Sequence, residues 1–85
     1  MPGPNRVFVD TNVLLYFVDH TDPVRQTRAS AWLHHLWASG VGVISWQVLH
    51  EFYVNAVRKF AVPPPEARFL VDSFLAWCPD RKSVV

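Results

Sequence analysis

The sequence predicts an α/β domain with a parallel sheet, on three observations. Two short apolar, β-branched runs, residues 6–9 and 41–45, read as buried strands. Each ends at a cap-forming residue, and longer segments of helical periodicity lie between and after them. The resulting order, strand, helix, helix, strand, helix, helix, is that of parallel strands joined by helical crossovers.

The elements follow in order. Residues 6–9 leave a Pro/Gly-rich start and end at Asp10-Thr11-Asn12, three turn- and cap-forming side chains. Residues 13–18 are too short for periodicity to separate strand from helix, and the cap triplet before them favours a short helix. Asp22 and Pro23 are an N-cap and a first helical residue. The helix they open carries Ala29, Trp32, Leu33, Leu36 and Trp37 at helical spacing and stops at Gly40. Ser45 caps a third helix over residues 46–60, with Leu49, Phe52, Tyr53, Ala56, Val57 and Phe60 as its apolar stripe. The break "VPPPE" opens a fourth, whose stripe is Ala67, Leu70, Val71, Phe74 and Leu75, ending near Trp77. Residues 83–85 resemble the start of another strand. Two parallel strands alone leave open edges, so the expectation is one domain over residues 1–85 that forms the front part of a larger α/β unit.

Composition narrows the function class. The chain has 85 residues, 51% hydrophobic and 18% charged, which places it with globular rather than disordered chains. A chain this short buries only about 60–65% of its unfolded surface. Four tryptophans and six phenylalanines therefore predict exposed apolar area, and with it a partner or a dimer. The net charge of +1 carries no strong nucleic-acid footprint. One cysteine, Cys78, excludes a disulfide framework and a cysteine-type zinc site. The start lacks a signal-peptide pattern, and no apolar run approaches a membrane span, so the expected compartment is the cytoplasm.

The residues that suggest chemistry are acidic. Asp10 stands amid apolar neighbours at the carboxyl end of the first strand, where open parallel sheets gather ligands. A buried carboxylate there would need a cation or capping hydrogen bonds. Glu51 lies off the stripe of the third helix, with Asn55 one turn on, and can point back toward Asp10. Two close carboxylates suit a hard divalent cation. The same residues fit a plain helix cap and a solvated surface glutamate. The four histidines lack metal-ligand spacing, and no calcium loop, phosphate loop or serine-nucleophile elbow is present.

The stretch "RVFVDTNVLLYFVD" followed by "ISWQVLHEFYVNAVRK" resembles a PIN domain, most closely the VapC-type toxins of bacterial toxin–antitoxin pairs, over residues 6–77. The resemblance implies an α/β/α sandwich and an Mg²⁺- or Mn²⁺-dependent endoribonuclease, dimeric and held inactive by a cognate antitoxin. It makes Asp10 and Glu51 the catalytic, metal-binding carboxylates, Asn12 the polar residue beside the first, and Thr11 and Ser45 hydroxyl positions near the site. Arg25, Arg28, Arg58 and Lys59 are candidates for RNA phosphates. Arg58 and Lys59 equally suit the dipole at a helix C-terminus. The family's further acidic residues lie beyond the fourth helix, and neither Asp72 nor Asp80 replaces them. The expectation is thus a PIN-like sandwich incomplete at its C-terminal end, lacking the last strands and helix, whose activity is in doubt. The alternative is a non-catalytic truncated module that dimerises or binds an antitoxin through Trp32, Trp37 and Trp77.

Overall fold

The computed structural model describes residues 6–78. Its elements are β1 (Val7–Phe8), α1 (Thr11–Val18), α2 (Pro23–Ser39), β2 (Gly42–Val43), α3 (Trp46–Lys59), α4 (Pro64–Phe74) and a final 3₁₀ turn, Leu75–Trp77. Residues 79–85, and with them Asp80 and the suggested strand at 83–85, lie outside the described residues.

The caps sit where the sequence places them. The Asp22 carboxylate accepts from the Arg25 N–H at 3.1 Å and Pro23 opens α2. Gly40 ends α2 at φ 71°, in the left-handed region open to glycine. The Ser45 hydroxyl accepts from the Val48 N–H at 3.1 Å at the head of α3. In α1 the helix begins at Thr11, two residues earlier than its apolar run, with Asp10 in extended backbone before it.

β1 and β2 pair in parallel, Val7 opposite Gly42 and Phe8 opposite Val43. The direction agrees with the expected order; the architecture does not. Four helices dominate the described residues and the only sheet has two strands of two residues each. The PIN-like α/β/α sandwich is therefore corrected to a helical assembly stitched by a short parallel β pair. The physical reason lies in the spacing. Only residues around Val7 and Val43 form a ladder, while the rest of the apolar sequence repeats at helical period, so helices bury their stripes on one another.

The core runs through Leu14 of α1, Leu33 and Leu36 of α2, Ile44 after β2, Leu49, Phe52 and Ala56 of α3, and Ala67 and Phe74 of α4. The Phe74 ring meets Phe17, Phe52 and Trp77 edge-on at centroid distances of 6.3, 5.9 and 6.1 Å. The α2 stripe is narrower than expected. Ala29, Leu33 and Leu36 are buried, but Trp32 and Trp37 flank them at 40% and 57% exposure. Phe8, Trp46 and Phe69 are exposed as well, so the expected apolar surface is present.

The two sheet edges differ. The Ile44 N–H donates to the Trp77 carbonyl at 3.1 Å, so the last turn covers the outer side of β2. Val7 and Val9 direct their N–H groups at β2, which leaves the Phe8 peptide groups on the open side of β1. The Trp77 ring stacks on Trp37 at 5.5 Å and lies over Gly42, where a Cβ would collide with its Cζ3 and approach Leu36 Cβ to 3.2 Å.

Two predictions follow from these packings. Gly42→Ala is expected to destabilise the chain by about 1–3 kcal/mol through overpacking against Trp77; denaturant unfolding measures it, and a lost near-ultraviolet signal from the Trp37–Trp77 stack locates it. In the α1–α2 loop the Thr21 hydroxyl and N–H both donate to the Asp19 carboxylate, at 2.6 and 3.0 Å, and hold it below the ordinary aspartate range. A carboxylate depressed in the folded state adds stability above its unfolded pKa, and that stability is lost as pH falls through the folded value. Thr21→Val is expected to raise the Asp19 midpoint in an NMR titration and to weaken this acid-side dependence.

Candidate functional site

Parallel pairing sends both strands out of the sheet at the same end, and α1 and α3 start there. Asp10 is the residue before α1 and Ser45 the residue before α3. Glu51 lies in the second turn of α3. Across this gap the Thr11 hydroxyl donates to Glu51 Oε1 at 2.9 Å, a contact between residues 40 apart in sequence. The glutamate carboxylate is thereby held at the first turn of α1, the end of a helix that favours negative charge. Asn55 donates from Nδ2 to the Glu51 carbonyl at 2.8 Å, one turn further along α3.

Asp10 departs from the expectation of a buried acid. It is exposed although Val9 and Leu14 on either side are buried, and its side chain makes no capping hydrogen bond. Only its carbonyl contributes locally, accepting from the Val13 N–H at 3.1 Å. The strand simply ends at Val9, so Asp10 needs no cation to be tolerated. Asn12 and Ser45 are exposed at the same end. The Ser45 Oγ is engaged as the α3 cap.

The basic candidates separate. Arg58 and Lys59 occupy the last turn of α3, about 10 Å along its axis from Glu51 and close to the helix C-terminus, where they complement the dipole. Arg25 and Arg28 instead line a groove between α1 and α2 together with Val13, Tyr16, Ala29 and Trp32. Tyr16 was not among the sequence candidates, and Trp32 stood there only among the tryptophans expected to hold a protein partner. Part of the signal was available: Arg25, Arg28, Ala29 and Trp32 stand at i, i+3, i+4 and i+7 on one helix. The place of Tyr16 depends on how α1 crosses α2.

The donors at Asp10 and Glu51 are hard oxygens, exposed to water, and suit a hydrated Mg²⁺ or Mn²⁺, which takes one or two carboxylates and keeps several waters. Among the described residues no group of three or more His, Cys, Asp or Glu side chains could enclose a metal. Asp72 is exposed on α4, and the four histidines, His20, His34, His35 and His50, are all exposed. The donor set thus fits a weakly held cation rather than a closed structural site.

The Thr11–Glu51 contact is open to a direct test. A double-mutant cycle with Thr11→Val and Glu51→Gln is expected to give a coupling of about 0.5–1.5 kcal/mol in denaturant unfolding.

A search of protein-family models, of curated proteins and of solved structures found nothing that matches this chain.

Proposed function

We propose that this chain is a divalent-cation-dependent endoribonuclease of the PIN/VapC toxin type, using Mg²⁺ or Mn²⁺ and acting on RNA phosphodiester bonds. The observation that carries this reading is the Thr11–Glu51 hydrogen bond, which holds a second carboxylate beside the strand end that bears Asp10. Asp10 and Glu51 would hold the cation. Bound there, it would supply Lewis acidity for attack of water on a phosphodiester. Thr11 keeps Glu51 in one orientation and leaves Oε2 for a ligand. Asn12 and the Ser45 hydroxyl orient ligands at the same end of the β pair. The chain's one cysteine and the absence of any helix, among the described residues, long and apolar enough to cross a membrane accord with the cytoplasm as its compartment.

A second reading has its own support. Exposed Phe8, Trp37, Trp46 and Phe69, with the open side of β1, favour a non-catalytic module that forms a homodimer or holds a cognate antitoxin.

Cleavage of a mixed RNA pool by the purified chain with Mn²⁺ separates the two. Under the first reading cleavage falls by roughly two to three orders of magnitude in Asp10→Asn. Absence of cleavage in a chain with a folded circular-dichroism spectrum overturns it. A dimer by size exclusion, unchanged in Asp10→Asn, would then favour the second.

A further inference from the structure

The groove between α1 and α2 carries chemistry that the acidic pair does not use. It encloses about 430 Å³, toward the small end of ligand sites. Arg25 lies in its wall. Its Cζ lies 5.1 Å from the Tyr16 ring centroid, its Nη1 donates to Tyr16 Oη at 3.4 Å, and its Nε lies 3.6 Å from the Asp22 carboxylate. Arg28, one turn on, is exposed and pairs with no carboxylate among the described residues. Trp32 follows after another turn, its indole partly open. Arg28 and Trp32 thus stand one turn, about 6 Å of helix rise, apart on one face of α2.

We infer that this groove is a subsite for one nucleotide of a single-stranded RNA, with the base stacked on Trp32 and the phosphate on Arg28. The inference rests on the RNA reading above for the identity of the ligand. Several features favour this occupant. Arg25 is paired with Asp22 while Arg28 pairs with no carboxylate among the described residues, so the groove wall carries an exposed guanidinium open to an anion. An aromatic face beside a cation is the pairing single strands use, because each base has a π-face and each phosphate a charge. A duplex hides its base faces. An apolar helix would strip water from Arg28 with nothing to replace it. Val13 in the groove wall stands one turn of α1 beyond Asp10, so the groove begins at the helix end that bears the acidic candidates.

The test is fluorescence anisotropy of a labelled 12-nucleotide 2′-O-methyl RNA binding to the 85-residue chain in EDTA, so that neither cation nor cleavage takes part. Trp32→Ala is expected to weaken binding by roughly 10- to 100-fold. Trp32→Phe is expected to retain most of it, and serves if the alanine variant does not fold. Arg28→Gln is expected to weaken binding and to reduce the slope of log affinity against log salt by about 0.7, one phosphate's share on a single strand. Arg68→Gln removes the same charge from α4 and is expected to change affinity less than about twofold. Wild-type affinity in folded Trp32→Ala and Arg28→Gln overturns the inference. So does a glutamate-rich peptide that displaces the RNA and binds both variants as it binds the wild type. Cleavage abolished by Asp10→Asn together with unaltered binding in the groove variants would refute the subsite alone. Loss of binding in the groove variants without cleavage by any form would refute the nuclease reading alone.

Discussion

The parallel pairing of β1 with β2 sets the arrangement of everything around it. Two bonds, Val7 N–H to the Val41 carbonyl at 2.8 Å and Val9 N–H to the Val43 carbonyl at 2.9 Å, flank the ladder. Because the strands run the same way, the helices that follow them start at the same end. Antiparallel pairing would have put Asp10 and Glu51 at opposite ends, with no contact between Thr11 and the glutamate. The ladder is short, and its persistence depends on the helices. Val9, Val43 and Ile44 are buried, so apolar packing holds the strands together where few hydrogen bonds do.

The same economy shows at the far edge. A two-stranded sheet normally exposes both sides, yet here one turn of chain closes one of them. Trp77 covers β2 twice, with its carbonyl on the Ile44 N–H and its ring over Gly42. Phe74, three residues earlier, ties that turn to α1 and α3 through Phe17 and Phe52. The aromatic residues that looked excessive for so small a chain thus divide into two sets. Phe17, Phe52, Phe74 and Trp77 hold the helices to the β pair, while Phe8, Trp32, Trp37, Trp46 and Phe69 remain at the surface.

Local structure was legible in the sequence because its signals are local. Asp22-Pro23, Gly40, Ser45 and the proline run each act through backbone geometry within a turn or two, and helix boundaries follow them closely. The number of layers was not legible. Residues 6–9 and 41–45 have strand composition, but composition does not state how many residues find a partner, and only two in each do. Asp10 misled for a related reason: apolar neighbours in sequence are not neighbours in space once a strand ends and a helix turns away. At the candidate site the spacing of strand, Asp10, Ser45 and Glu51 indicated which ends could meet. It did not reveal that Thr11 would be the residue to bridge them, since that depends on the roll of α1 about its axis.

The bridge also has a kinetic meaning. Helix pairs such as α3 with α4 join segments close in the chain, and such contacts form early and cheaply. Bringing Val7 to Gly42 and Thr11 to Glu51 requires closure of loops of some 35 to 40 residues, whose entropy must be met before the short ladder rewards it. The β pair and the Thr11–Glu51 bond therefore carry a closure cost that the α3–α4 contacts do not. Any activity seated at Asp10 and Glu51 would depend on that pairing as much as on the two carboxylates, because the pairing alone sets α1 and α3 at one end.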